Sequence, residues 1–172
     1  MLTFRDVTPQ DRDVVLPMVE AFYQTDAVDH SVETSILERS FLDAADPAEP
    51  LLRGILVLDG TEVAGYLYLT QCYAAEVGGR CIFIEEIYLN PPFRGRGLGH
   101  AIMAWIETQY PSARRFRLEV TPVNQGAVRL YKKSGYQYLR YHQMVLDKQP
   151  RSESTHPAAV CLSGGLGSND MI

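Results

Sequence analysis

At 172 residues, 46% hydrophobic and 22% charged, the chain has the composition of one ordinary globular domain, long enough to bury a core without disulfides. A formal net charge of -5 offers no global basic field to nucleic acid or an anionic membrane, and no apolar run approaches the roughly 20 residues of a membrane span. Cys72, Cys81 and Cys161 are odd in number with no Cys-x-x-Cys pair, so neither a metal site nor a disulfide framework is expected; with no signal segment evident, a reducing cytoplasm is the default expectation.

In chain order, Leu2 to Val7 reads as a first strand. Thr8-Pro9-Gln10-Asp11 then reads as a helix start, with Thr8 capping, Pro9 at the first helical position and Asp11 reaching back. Val14, Val15, Met18, Ala21 and Phe22 recur at helical spacing, and Pro17 inside that pattern predicts a kink or a split. A second helix is predicted over Val32 to Ala45, with Ile36, Leu37, Ser40, Phe41 and Ala44 on one face. The period then changes. Arg53 to Leu58 and Glu62 to Gln71 form a hairpin about Asp59-Gly60, and Cys81 to Leu89, apolar on both faces at its start, reads as a central strand. Leu98, Ile102, Trp105, Ile106 and Gln109 describe a helix face. Arg115 to Val120 is a strand, Gln125 to Ser134 a helix closed by Gly135, and Tyr136 to Val145 a last strand. This order predicts an α/β fold with a mixed sheet and helices on both faces. Residues 1–147 are expected to form the domain and 148–172, rich in Ser, Gly and Pro, a mobile tail.

The informative stretch runs from Ile84-Glu85-Glu86-Ile87-Tyr88-Leu89 through Asn90-Pro91-Pro92-Phe93 to Arg94-Gly95-Arg96-Gly97-Leu98-Gly99. A buried strand enters a glycine-rich loop that opens directly into an amphipathic helix. Gly95 to Gly99 contains no Ser, Thr, Asp or Asn to consume the helix's free N–H donors, which leaves an anion site at the positive end of the macrodipole, with Arg94 and Arg96 adding charge. A Walker loop fails because Gly99-His100-Ala101 replaces Gly-Lys-Ser/Thr; a Rossmann fingerprint fails because His100 stands at its third glycine.

What remains, Arg-x-x-Gly-x-Gly after a long central strand, resembles the pyrophosphate-binding motif of the GNAT superfamily of acyl-CoA-dependent N-acyltransferases. A second segment, from Asn124 through Tyr131 to Gly135-Tyr136, resembles the superfamily's Asn-led helix ending in a Tyr and a Gly-aromatic pair. The similarity spans about Leu2 to Leu146. It implies a mixed, largely antiparallel central sheet of about six to seven strands, and acetyl-CoA as co-substrate without a metal. It further implies that backbone groups of Ile87, Tyr88 and Leu89 pair with the pantetheine arm, and that N–H groups from Arg94 to His100, across Gly95, Arg96, Gly97, Leu98 and Gly99, hold the pyrophosphate. Asn124, Ala127 and Tyr131 complete the coenzyme-binding set, while Arg129, Lys132 and Lys133 are either a supplementary positive field or a solvated face.

Tyr131 is the candidate general acid, since a phenol can share its proton with a departing thiolate without a large mismatch; the alternative is a core tyrosine. Glu85 is the candidate general base, in keeping with a Glu at the matching position of polyamine acetyltransferases, with Glu86 as the competing choice. Adjacent strand residues point to opposite faces, so both enter one cleft only if the strand carries a bulge. A ping-pong route through cysteine is disfavoured. The acceptor side is expected at Tyr23 to Ser40, where Asp26, Asp29, His30 and Glu33 suit a cationic amine or a solvated surface equally. The expected activity is acetyl transfer to a primary amine of a small molecule in a ternary complex. A protein N-terminal or lysine acetyltransferase and a non-catalytic acyl-CoA sensor are the rivals. No nucleic-acid or membrane partner is expected, and a homodimer is drawn from family habit alone.

Overall fold

The computed structural model describes residues 2–28 and 30–148. Within these, five strands order as β1 (Leu2–Asp6), β2 (Leu52–Asp59), β3 (Glu62–Ala74), β4 (Gly79–Leu89) and β5 (Arg115–Leu118) in one sheet. The first three pairings are antiparallel, and β4 to β5 is parallel. The crossover between the parallel pair is α3 (Leu98–Gln109); α1 (Arg12–Phe22), α2 (Thr34–Ala44) and α4 (Gln125–Lys133) complete the helices. The first compact unit of the chain ends at Tyr138.

Helices cover both faces of the sheet, as the element order demands. On one face α1 and α2 bury Val15, Met18, Val19, Phe22, Leu37 and Phe41 against Leu56, Tyr66, Tyr68 and Tyr88. On the other, α3 buries Ile102, Met103 and Ile106 against Ile55, Val57, Leu67, Leu69, Ile82 and Ile84, and α4 adds Leu130 and Tyr131 at the margin.

Several expectations change. α1 runs unbroken through Pro17. The missing N–H costs about 3 kcal/mol, but burying Val15, Leu16, Met18 and Val19 returns about 1.5–3 kcal/mol for each large side chain, so packing wins. α2 is shorter than predicted, and Ile36 is 54% exposed rather than on the inner face. β5 stops at Leu118 instead of Val120. The strand predicted over Tyr136 to Val145 does not form: residues 136–148 hold no regular structure, and Tyr138, Leu139, Tyr141, Met144, Val145 and Leu146 are exposed. Alternating apolar residues give a strand tendency but not a ladder partner, and without one the extended form has nothing to satisfy its backbone. The sheet therefore has five strands among the described residues, not six or seven. The predicted tail lies, beyond Lys148, outside the described residues.

Candidate active site

The candidate residues gather where β4 outruns β5. The parallel ladder joins Cys81–Arg115 through Ile84–Leu118 and ends there, while β4 continues to Leu89. From Glu85 to Leu89 the strand keeps its β3 neighbour on one side, but has no strand partner on the other among the described residues. Pro91 and Pro92 then turn the chain into a 3-10 turn, since neither can donate to a ladder. On the side away from β3 the peptide groups of this stretch have no ladder partner among the described residues. The Leu89 carbonyl accepts from Arg94 Nε at 2.8 Å.

A bulge lies at the same point. Tyr68 pairs with Glu86 but Leu69 pairs with Ile84, so Glu85 is the extra residue on β4. Its effect is to reset the alternation. Ile82 and Ile84 face α3; beyond the bulge Glu86 and Tyr88 face the α1–α2 side, where Tyr66 and Tyr68 also lie. Glu85 turns the same way, its Oε1 accepting from the Thr70 hydroxyl at 2.5 Å. Both carboxylates thus share one face, the condition under which both reach one cleft.

They differ in everything else. Glu85 is exposed, whereas Glu86 is 7% exposed. Tyr66 donates its hydroxyl to Glu86 Oε2 at 2.5 Å and Tyr23 donates to Oε1 at 2.9 Å, which satisfies an otherwise expensive buried charge. Burial raises the proton affinity of Glu86, the two phenols partly offset that rise, and the neighbouring charge of Glu85 adds to it. The net effect on Glu86 is a proton affinity above that of an ordinary carboxylate.

The loop after β4 keeps some, but not all, of the free backbone donors expected there. Gly95 (φ 72) and Gly97 (φ 79) are left-handed, and a Cβ on either would meet no atom within 4 Å, so the backbone there borders open space. Gly97 occupies the cap position of α3 and no side chain caps the helix. Among the described residues no backbone acceptor takes the N–H groups of Gly95, Arg96, Gly97, Leu98 or Gly99. The N–H groups of Arg94 and His100, expected in the same nest, are instead bonded to Pro91 and Gly97 carbonyls at 3.2 Å. Both guanidiniums are engaged as well: Arg94 lies over the Tyr88 ring at 5.2 Å, and Arg96 pairs with Asp59 at 2.8 Å. Gly99 serves packing, because a Cβ there would come within 2.8 Å of Leu130 Cδ2; the small residue lets α4 approach the start of α3.

That approach seats Tyr131. It packs against the α3 side of the sheet with Leu130 and Tyr136, its ring 6.0 Å from that of Tyr136. Burial pushes its phenol up to about 12, which keeps the proton in place at neutral pH and makes the mismatch with a departing thiolate larger than expected of an ordinary phenol. Asn124 caps α4, its side-chain oxygen accepting from the Ala127 N–H at 3.1 Å, which commits Ala127's donor to the helix. Arg129, Lys132 and Lys133 are exposed, with Lys132 over the Tyr138 ring at 5.1 Å. Cys81 is buried directly across the ladder from exposed Cys72, and its thiol is pushed up to about 11 by burial and by Cys72, which makes it a weak nucleophile.

Residues 16–136 match the profile of the acetyltransferase (GNAT) family. The chain belongs to that family. A mycothiol acetyltransferase from Thermobispora bispora is 32% identical over 97 residues, covering 56% of this chain and 28% of its own length. A thialysine N-epsilon-acetyltransferase from Mus musculus is 35% identical over 82 residues, covering 46% of this chain and 48% of its own. The chain therefore spans less than half of either relative. The fold of a predicted acetyltransferase with acetyl-CoA from Clostridium acetobutylicum superposes with a TM-score of 0.67 over 85% of this chain and 96% of that one, at 15% identity.

The stretch from Tyr23 to Ser40, expected on the acceptor side, covers the α1–α2 connection and the first turns of α2. Asp26, His30 and Glu33 are exposed there, and Asp29 lies outside the described residues. The residues that close around the carboxylates are others. Tyr66 and Tyr68 were not singled out by sequence reasoning, although Tyr66-Leu67-Tyr68 places two phenols on one face of a strand next to the glutamates. Tyr68 is 2% exposed and its hydroxyl has no hydrogen-bond partner among the described residues. The missing ingredient was register, which depends on a bulge that no residue type announces. Among the described residues no cluster of His, Cys, Asp and Glu could hold a metal ion, and no helix is long and apolar enough to cross a membrane.

Proposed function

We propose that the protein transfers an acetyl group from acetyl-CoA to a primary amine of a small molecule, by direct attack in a ternary complex. The observation that carries the reading is the coincidence of two unsatisfied backbone surfaces. On the side away from β3, β4 from Glu85 to Leu89 has no strand partner among the described residues, and a few residues on, the N–H groups of Gly95 to Gly99 sit uncapped at a helix start. One suits the amides of an extended arm and the other a diphosphate, and both fit coenzyme A. The residues present accommodate it: open space borders Gly95 and Gly97 where side chains would otherwise stand.

Bound acetyl-CoA supplies an acetyl group activated as a thioester. The Gly95–Gly99 donors hold its phosphates, and the peptide groups of Ile87 and Tyr88 align the arm. Glu85 and Glu86 lie on the α1–α2 face of the sheet and Tyr131 packs with the α3-side core, so the proposed base and acid come from opposite faces. The incoming ammonium gives up a proton towards the Glu85–Glu86 pair, directly or through water, and its nitrogen attacks the acetyl carbonyl. As the carbon–sulfur bond breaks, Tyr131 donates its hydroxyl proton to the departing sulfur, and the second proton, shed by the acylated nitrogen as it becomes the amide, passes through water to restore the Tyr131 phenol. With Cys81 buried and raised, no covalent acyl-enzyme is needed; the rate comes from holding amine and thioester together. Residues 1–147 are the unit assigned to this work. The test is release of coenzyme A thiol with a panel of small primary amines, polyamines, amino acids and aminoglycosides among them, with mass detection of the acetylated product. Coenzyme binding without turnover on any of them would refute the reading.

A further inference from the structure

The segment leaving α1 touches both walls of the gap left where β4 outruns β5. Tyr23, the first residue after the helix, is half-buried and donates to Glu86 on β4 at 2.9 Å. Asp26, three residues on, offers its carbonyl to the hydroxyl of Thr121, in the stretch that follows β5. Between them Thr25 stiffens the turn: its hydroxyl donates to the Phe22 carbonyl at 2.7 Å and accepts from the Ala27 N–H at 3.2 Å. A short, internally bonded span is thus tied at one end to β4 and at the other to the continuation of β5, the two elements that separate.

We infer that residues 23–26 form a strap across the acceptor side of the β4–β5 gap, and that Tyr23 is a positioning residue coupling the seating of that strap to the ionisation of Glu86. The inference rests on the activity proposed above, and names the part of the chain that sets amine affinity.

The surroundings of Glu86 make the coupling strong. Tyr66 and Tyr68 face it from β3, Tyr23 from the end of α1, and Glu85 from its own strand; α2 brings only the apolar Leu37, Phe41 and Ala44 to that core. Among the described residues no Arg, Lys or His is bonded to it. Its ionised form is held by two phenols alone, so withdrawing one shifts its proton affinity upwards. A strap that lifts carries Tyr23 away and leaves a carboxylate readier to keep a proton. A strap that seats returns Glu86 to the charged state that attracts an ammonium.

The test uses the full chain with glutamate labelled at the side-chain carboxyl carbon. Titration followed by carbon NMR gives the Glu86 midpoint, assigned by Glu86→Gln, in wild type, Tyr23→Phe and Thr121→Val. Tyr23→Phe keeps the ring against Phe22, with which it makes an edge contact at 5.3 Å, and removes only the hydroxyl. Its midpoint is expected to rise by about one pH unit. The acidic limb of the acetylation rate should move up by the same amount, with an increased KM for the amine. Thr121→Val loosens the strap without touching the carboxylate, so KM for the amine should rise while the Glu86 midpoint stays put. An unmoved midpoint in Tyr23→Phe overturns the coupling, and an unmoved amine KM in Thr121→Val overturns the strap. Because the NMR titration needs no turnover, a chain that acetylates no amine would sink the proposed activity while this measurement still decides the Tyr23–Glu86 link.

Discussion

Replacing Gly97 by Glu tests the anion site most directly, because its two effects can be separated by design. Gly97 sits at φ 79, so any L-residue there incurs left-handed strain of roughly 1–2 kcal/mol. No atom lies within 4 Å of an added Cβ, so there is no steric penalty on top of it. The second effect is charge. At an effective dielectric near 20, a carboxylate about 5 Å from one negative phosphate charge is repelled by roughly 3 kcal/mol, which is more than 100-fold in Kd. Gly78 gives the control: it is also left-handed (φ 62) with nothing within 4 Å of an added Cβ, but lies in the β3–β4 turn. Gly78→Glu should therefore lose similar stability by urea melt and keep coenzyme affinity, Gly97→Ala should lose stability with a modest change in affinity, and Gly97→Glu should lose both. Calorimetric titration with coenzyme A reads the affinities. Wild-type affinity in Gly97→Glu would refute the assignment of the diphosphate to the start of α3.

Tyr131→Phe should lower turnover by about 10²–10³-fold while coenzyme affinity in the same titration changes little, since the proton is needed only as sulfur departs; an unchanged rate removes Tyr131 as the acid. Glu86→Gln should abolish the acidic limb of the rate profile. Glu85→Gln should move that limb to lower pH, because removing a neighbouring negative charge lowers the proton affinity that Glu85 raises in Glu86. A limb abolished by Glu85→Gln instead would make Glu85 the titrating base. Asp11→Ala should cost about 1–2 kcal/mol at neutral pH, since Asp11 accepts from Arg5 at 2.6 and 2.7 Å and from the Thr8 N–H and hydroxyl. Those bonds hold the folded carboxyl below its ordinary range, so the contribution is complete above about pH 4 and fades as pH falls further. Paired urea melts at pH 7 and pH 3 should show the gap narrowing, and a gap that widens would contradict the sign.

What could be read from residues alone was whatever depends on local sequence. The uncapped helix after Gly97, the prolines ending β4 and the Thr8–Asp11 turn follow from residue type within a few positions, and all three appear where expected. Features that depend on a partner were harder. Tyr136 to Val145 alternates like a strand, but alternation does not supply an edge to pair with. Arg94 and Arg96 looked like spare positive charge, yet Arg96 meets Asp59 from a distant hairpin and Arg94 folds back on Leu89 and Tyr88. Tyr66 and Tyr68 carried no signal until register placed Tyr68 opposite Glu86.

The bulge at Glu85 does more than admit two carboxylates to one cleft. Without the extra residue, strict alternation from Ile82 and Ile84 would place Glu86 on the α3 face, among Leu67, Leu69 and Ile102, where no phenol of β3 could reach it. A lone carboxylate buried there would take up a proton rather than remain charged. One inserted residue moves it beneath Tyr66 and Tyr23, where it can stay ionised and still bind protons more tightly than an exposed acid. The same insertion falls where the ladder to β5 ends, so the point at which the strand loses its neighbour is also the point at which its side chains change face. The edge proposed to take the acyl donor and the carboxylate proposed to serve the amine therefore meet at one backbone irregularity.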